Sequence, residues 1–151
     1  PIPYVIIILM QTILKKANPS LIAPCGMNCS LCLGYQREKN HCNGCRNEKN
    51  IKYKTKGSAN CVIKNCELLK DTISKFCYEC SKYPCTRLKQ LDKRYRTKYG
   101  MSMLENQEYI KESGIKEFIK KEDIKWKCNT CDGLICVHRG YCLNCKDKED
   151  E

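Results

Sequence analysis

The sequence is poor in histidine, in tryptophan and phenylalanine, and in long apolar runs. It has 2 histidines, 1 tryptophan and 2 phenylalanines among 151 residues. Its apolar run at residues 4–10 is far shorter than the roughly 20 residues that a membrane span needs. The basic pair Lys15-Lys16 follows this run, whereas a signal peptide carries its basic residues ahead of the apolar segment. We therefore predict a protein without a membrane-spanning segment or signal peptide.

The sequence also lacks the features of the common catalytic scaffolds. A (β/α)₈ barrel needs roughly 250 residues, and this chain has 151. No G-x-G-x-x-G or phosphate-binding loop occurs, so there is no nucleotide cofactor motif. Catalysis by a Cys/His pair needs a free thiol beside a base, but His41 and His138 both flank cysteine pairs. Whether the protein is an enzyme stays open, and these absences favour a non-enzymatic role.

The first residues are read as an extension. The chain begins at Pro1, and its first methionine is Met10. We interpret residues 1–9 as sequence ahead of the true start, with a buried or edge β-strand as the alternative.

What the sequence has in abundance is cysteine, with 15 residues. An odd number cannot pair completely into disulfides within one chain. Two cysteines three positions apart can converge on one metal ion, which suits thiolate ligation of zinc better than a structural disulfide framework. Reduced thiols indicate the cytoplasm. The five C-x-x-C pairs are Cys29/Cys32, Cys42/Cys45, Cys77/Cys80, Cys128/Cys131 and Cys142/Cys145.

The last two of these pairs predict a compact zinc ribbon. They are separated by ten residues, fewer than the roughly 15–20 of an ordinary ribbon. Asp132-Gly133 follows the first pair and supplies a turn able to take positive φ. We expect residues 134–138 to form a strand and Arg139-Gly140 to turn the chain back. Cys136 and His138 lie between the two pairs. Either both are spare, or one of them replaces a cysteine of the pairs as a ligand. We expect Cys136 to be a buried thiol and His138 an exposed imidazole.

Ten more cysteines form an N-terminal block. They suit two four-cysteine sites with two left over, or a cluster with shared ligands, so about three zinc ions are expected in the whole protein. Three such zinc sites would reduce the formal net charge from +11 to about +5. An all-cysteine ligand set is equally compatible with an iron–sulfur cluster such as [4Fe–4S]. The ten are Cys25, Cys29, Cys32, Cys42, Cys45, Cys61, Cys66, Cys77, Cys80 and Cys85.

Residues 86–127 contain no cysteine and predict three short helices. Leu88, Leu91, Tyr95 and Tyr99 form one apolar face, ending at Gly100. Ser102 and Glu105 form a capping box for a second helix, which ends at Gly114 before a third.

The outer face of the first helix is basic, with a single acid, Asp92. Such a row is typical of nucleic-acid contact, although a solvated face beside anionic thiolate clusters would also carry cations. The candidate contacts are Lys89, Lys93, Arg94, Arg96 and Lys98.

The fold class that follows is a small, metal-stabilised, loop-rich α+β protein. Its predicted parts are an N-terminal extension (1–19), a Cys-rich metal-binding module (20–85), a helical segment (86–125), a zinc-ribbon-like module (126–145) and a charged, disordered tail (146–151).

The cysteine motifs follow one another in an ordered series that resembles a known family. They are Ile22-Ala-Pro-Cys25-Gly-Met-Asn-Cys29-Ser-Leu-Cys32, His41-Cys42-Asn-Gly-Cys45, Phe76-Cys77-Tyr-Glu-Cys80, Tyr83-Pro-Cys85-Thr-Arg-Leu88 and Cys136-Val-His138-Arg-Gly140. Over about residues 20–145, this series resembles the cysteine-rich prokaryotic family called domain of unknown function 3795. The resemblance implies metal binding but no particular reaction or partner. Since the family is common in anaerobic bacteria and archaea, it also implies an iron–sulfur option for the N-terminal cysteines.

Three functions remain open at this point. The first is a non-enzymatic zinc-binding module that presents a surface to a protein or nucleic-acid partner. The second is an iron–sulfur redox or sensor protein that uses the N-terminal cysteines. The third is metal storage or transfer through the spare thiols. The spacing Cys25-x3-Cys29-x2-Cys32 also occurs in radical S-adenosylmethionine enzymes, but the chain is too short for their barrel.

Overall fold

The computed structural model describes residues 3–6, 18–47 and 60–149. Its cysteine-rich parts are mostly loops and short turns, and its regular structure is helical. Three 3₁₀ turns span Pro19–Leu21, Cys29–Leu31 and Cys77–Glu79. The α-helices are α1 (Leu33–Gln36), α2 (Glu67–Lys70), α3 (Thr86–Tyr99), α4 (Met103–Ser113), α5 (Ile115–Lys125) and α6 (Leu143–Glu149).

The three predicted middle helices are confirmed. The first, α3, begins two residues before Leu88 and ends at Tyr99, where Gly100 takes the left-handed conformation with φ of 67°. The Ser102 hydroxyl accepts the Glu105 N–H at 3.1 Å and so caps α4. Gly114 then separates α4 from α5.

The predicted α+β class is not confirmed. The described ranges contain no β-strand and only isolated antiparallel bridges, two of which flank the C-terminal cysteine pairs. Cys128 N–H bonds to the Gly133 carbonyl at 2.9 Å, and Cys136 N–H bonds to the Tyr141 carbonyl at 3.0 Å. These bonds close two short turns and leave too few residues between them for a ladder, so the expected strand at residues 134–138 and its hairpin are not seen.

Part of the predicted disordered tail is helical. Helix α6 includes residues 146–149 of the predicted tail, and Lys146 N–H bonds to the Cys142 carbonyl at 3.2 Å. The second cysteine pair thus anchors the helix that continues into the tail. Residues 150–151 and most of the predicted extension at residues 1–19 lie outside the described ranges. Within those ranges, the helices are too short and too polar for any of them to span a bilayer.

The core joins the cysteine loops to the helices. Helix α4 packs against α3 and α5 and contacts the Cys77–Glu79 turn. The main cluster draws on both cysteine blocks, since Leu31, Leu88 and Val137 are all buried within it. A second cluster, beside α5, consists of Ile22, Phe76, Ile110, Phe118 and Ile119.

Asp92 is part of the helix packing and not of the basic outer face. Its side chain is only 2% exposed. It accepts hydrogen bonds from the Ser102 hydroxyl at 2.6 Å, the Leu104 N–H at 3.1 Å and the Arg96 guanidinium at 2.6 Å. Burial opposes its charge, but these three donors outweigh burial and hold the pKa of the Asp92 carboxyl below its ordinary value. One carboxylate therefore ties α3 to the start of α4.

We expect Asp92→Asn to destabilise the protein at pH 7 by about 1–3 kcal/mol, because a buried charge-assisted bond is removed. The pKa of Asp92 is lowered by folding, so its contribution exists above the ordinary carboxyl pKa and is lost as the pH falls through the lowered value. Urea unfolding of both proteins at matched pH values should show the difference shrinking as the pH falls below about 4. A difference that does not change with pH would contradict this role.

Candidate metal centre

Four C-terminal cysteines converge on one point. The Sγ atoms of Cys128, Cys131, Cys142 and Cys145, called here the C-terminal tetrad, all lie within 4.8 Å of one another. The Cys128–Cys145 and Cys131–Cys142 Sγ pairs are each 3.6 Å apart. With Zn–S bonds of about 2.3 Å, a tetrahedral site places its sulfur atoms roughly 3.8 Å apart. The tetrad therefore has the geometry of a four-thiolate site for one metal ion.

The first pair is held by backbone donors to sulfur. Thr130 N–H donates to Cys128 Sγ at 3.4 Å, and Gly133 N–H donates to Cys131 Sγ at 3.3 Å. A Cβ atom on Gly133 would stand 3.2 Å from Cys131 Sγ and 3.4 Å from Cys142 Sγ. Gly133 is needed for this close approach. Gly133 is not among the glycines with positive φ, so the turn does not use the positive φ that glycine allows.

The second pair follows a tight turn. Gly140 has φ of 77°, and its N–H bonds to the Cys136 carbonyl at 2.8 Å. Cys142 precedes α6, and Cys145 lies in its first turn. The turn thus returns the chain, so that Cys142 and Cys145 approach the first pair.

The electrostatics of the tetrad favour a cation at its centre. The N–H groups of Thr130 and Cys131 lower the pKa of the Cys128 thiol to about 6. Hydrogen bonds to the Cys128 and Cys131 sulfur atoms in turn raise the pKa of the Cys145 thiol to about 12, because the protonated thiol is the donor in them, and a charge on Cys128 acts in the same direction. Four thiolates can therefore ionise together only when a positive ion neutralises them.

Cys136 and His138 are not in the tetrad. Cys136 is 0% exposed, as expected of a buried thiol. His138 is half-buried, so the expected exposed imidazole is wrong: Leu33 N–H donates to Nδ1 at 3.2 Å, and Nε2 lies 2.9 Å from the Tyr95 hydroxyl. Burial lowers the pKa of His138 and favours the neutral ring. His138 fastens the C-terminal turn to the N-terminal loops and to α3.

His41 lies on the surface of the N-terminal block. Its Nδ1 is 3.3 Å from the Arg37 carbonyl oxygen, and its ring packs against the Tyr35 ring at a centroid distance of 5.3 Å. It is not part of a metal-binding group in the described part of the chain.

The ten N-terminal cysteines do not form a comparable group within the described residues. They divide by neighbourhood instead. Cys45 N–H donates to Cys29 Sγ at 3.5 Å, and Cys42 and Cys45 are the thiol neighbours of Cys32. A second set, Cys66, Cys77, Cys80 and Cys85, lines one cavity of about 350 Å³. That all ten bind metal stays a prediction.

Cys25 has neighbours in both sets, and Cys61 is a neighbour of Cys25 and Cys77. Burial is the main cause that raises the pKa of the Cys25 thiol to about 12, and its neighbours Cys45, Cys77 and Cys61 act in the same direction. The neighbours of Cys25 thus come from both sets. The division of the ten cysteines into two four-cysteine sites with two left over stays a prediction.

Two side chains that the sequence analysis missed position the cysteine loops. Gln107 is 0% exposed; it donates to the Pro24 carbonyl at 2.8 Å and accepts the Tyr78 N–H at 2.9 Å. Asn106 donates to the Gly26 carbonyl at 3.0 Å. Both lie on the buried face of α4. The sequence offered one signal for this role: two amide side chains stand at positions where the helical periodicity predicts core residues.

All five predicted nucleic-acid contacts on α3 are exposed. Helical spacing places Lys89, Lys93 and Arg96 in one row and Arg94 and Lys98 in another. Between the rows lie the uncharged, exposed residues Gln90 and Thr97.

The comparisons with known proteins identify part of the chain. Residues 21–90 match the family "Protein of unknown function (DUF3795)". This confirms the resemblance expected from the cysteine motifs, and the matched residues include all ten N-terminal cysteines. The C-terminal tetrad lies outside the match. The searches of curated proteins and of solved structures found no match.

We expect Gln107→Leu to destabilise the protein by about 1–3 kcal/mol, because it leaves the partly buried Tyr78 N–H without its acceptor. It should also lower the metal content of the N-terminal block, since α4 would no longer hold both loops. Gln90→Leu, on the exposed side of α3, is the matched control and should change neither quantity. Urea unfolding and metal analysis measure the two effects. Equal results for the two variants would show that Gln107 does not hold the two cysteine loops in place.

Cys142→Ser should remove about one metal ion per chain, since it takes one thiolate from a closed four-ligand site. Cys136→Ala is the control, because Cys136 lies between the same pairs but outside the tetrad. Elemental analysis of both variants measures the content. If both retained the wild-type metal content, the tetrad would not be the site.

Proposed function

We propose that the protein is a non-enzymatic, cytoplasmic metal-binding module in which the C-terminal tetrad holds one zinc ion. The observation that carries this proposal is the convergence of four Sγ atoms within 4.8 Å. Four protein ligands leave no open position for a substrate, which is typical of structural and not of catalytic zinc. A tetrahedral four-sulfur set selects zinc or iron–sulfur chemistry. The short sulfur–sulfur distances favour a single ion there.

The zinc would supply folding free energy to the C-terminal segment. Lys127 to Cys145 has isolated bridges and short turns in place of a ladder. Its backbone is shaped by hydrogen bonds to the ligand sulfurs and to adjacent carbonyl groups. Ligand binding in such segments is coupled to folding, so the role of the ion is to hold the turns that carry Val137 and His138 into the rest of the protein.

The module would present α3 to the sugar–phosphate backbone of a nucleic acid. Its exposed residues are basic or uncharged, and its only acid, Asp92, is buried. Tyr95 and Tyr99 face inward, where their rings pack edge-on against His138. Since α3 offers no exposed aromatic ring for base stacking, we expect phosphate contacts without base readout.

An iron–sulfur protein is the second candidate. It is favoured by one observation: no three of the ten N-terminal cysteines form a single-ion group in the described part of the chain. Metal storage or transfer remains the third candidate. It is less well supported, because one of the spare thiols, Cys136, is fully buried and therefore inaccessible for exchange.

We expect Lys89→Gln/Lys93→Gln to weaken binding to single-stranded RNA and DNA without changing the sequence preference. For each phosphate that the variant no longer neutralises, the slope of log K against log salt should fall by about 0.7. Fluorescence anisotropy at several salt concentrations measures both the affinity and the slope.

The matched control is Lys116→Gln/Lys120→Gln on α5, which removes the same charge from a helix that also carries exposed acids such as Glu117. It should bind as the wild type does. Absence of binding by the wild type, or binding that is flat with salt, would exclude the nucleic-acid partner and leave a protein partner as the alternative.

A further inference from the structure

The second cysteine set lines a cavity that is separate from the C-terminal tetrad. The cavity lies between α2, the Cys77–Glu79 turn and the start of α3, and its volume is about 350 Å³. Cys66 precedes α2, Cys77 and Cys80 border the turn, and Cys85 precedes α3. Four thiols from three separate elements therefore face one space, which is much larger than a single metal ion requires.

The spacing of these sulfur atoms distinguishes the cavity from the tetrad. In the described part of the chain, only the tetrad brings three or more ligand atoms within 4.8 Å of one another. The cavity cysteines are nevertheless electrostatic neighbours, since Cys85, Cys66 and Cys80 would each repel a charge on Cys77. In a [4Fe–4S] cluster each cysteine binds a different iron atom, so the four sulfur atoms stand farther apart than around one ion.

The walls of the cavity suit an anionic inorganic cluster. Ile63, Leu69 and Leu88 line it and are buried in the main core, which provides an apolar shell. Lys82 and Arg87 line it as well and bring positive charge to an assembly with four thiolates. Lys82 N–H donates to Cys80 Sγ at 3.4 Å, a contact typical of cluster ligands.

We propose that Cys66, Cys77, Cys80 and Cys85 are the ligands of a [4Fe–4S] cluster in this cavity. The inference rests on the metal-binding function proposed above and deepens it, since it assigns the iron–sulfur alternative to four of the ten N-terminal cysteines. Zinc in the tetrad and a cluster in the cavity then coexist in one chain.

The test is anaerobic purification of the full chain, followed by reconstitution with ferrous iron and sulfide. The wild type should become brown, with about four iron atoms and four sulfide ions per chain and a paramagnetic signal after reduction. Cys80→Ser and Cys85→Ser should lose most of the iron and the visible absorption. Both residues are half-buried, so these substitutions disturb the core less than a change at Cys77.

Cys42→Ser is the matched control, because Cys42 is also half-buried and belongs to the other N-terminal set. It should keep the iron content of the wild type, and circular dichroism should show that all three variants are folded. Equal loss of iron from folded Cys42→Ser and Cys85→Ser would overturn the ligand assignment.

The zinc content of the same samples separates the two proposals. A colourless wild type that holds zinc but takes up no iron would refute the cluster and leave the zinc module intact. A brown wild type without zinc would support the cluster and refute the zinc at the tetrad. Iron retained in folded Cys80→Ser and Cys85→Ser would place the cluster elsewhere and overturn this inference.

Discussion

The cost of ionising crowded, partly buried thiols is the constraint on which this structure depends. Burial, followed by neighbouring sulfur atoms, raises the pKa values of Cys25 and Cys77, and hydrogen bonding to Cys128 raises that of Cys145. A cation offsets this cost and turns the same sulfur atoms into ligands. The apolar core is modest and includes cysteine side chains such as Cys29 and Cys77. Metal binding to these thiolates would therefore be coupled to the formation of this core.

Polar side chains in partly or fully buried places connect segments that are far apart in sequence, as the strands of a sheet would in a larger protein. Gln107 joins the loops that carry Cys25 and Cys77, and His138 joins the C-terminal turn to α1 and α3. Each of these bonds satisfies a backbone group or a ring nitrogen in a partly or fully buried place, where an unpaired group would be costly. Loops without a ladder are thus held at defined positions, as metal ligands require.

The features that local sequence determines were predictable, and those that depend on distant contacts were not. Helix α3 and the cap at Ser102 follow from periodicity and capping within a few residues, and a C-x-x-C pair forms its turn locally. The strand expected at residues 134–138 failed because a strand needs a partner, and the register of that partner cannot be read from cysteine spacing. Gly133 was recognised as a turn residue, but its close approach to the Sγ atom of Cys142 could not be predicted, because Cys142 belongs to the second pair. The burial of Asp92 depends on Ser102, beyond its own helix.

The two groups of four cysteines differ in the spacing of their sulfur atoms, because their cysteines come from differently arranged parts of the chain. The tetrad receives its ligands from two C-x-x-C pairs in one short segment, so its sulfur atoms converge closely. The cavity receives single cysteines and one pair from three elements anchored in the main core, so its sulfur atoms stay apart. Val137 and Leu31 meet in that core, and Val137 N–H bonds to the Leu31 carbonyl at 2.9 Å. A metal at either centre would therefore stabilise packing that the other also uses, and binding at the two sites would be thermodynamically linked through the shared core.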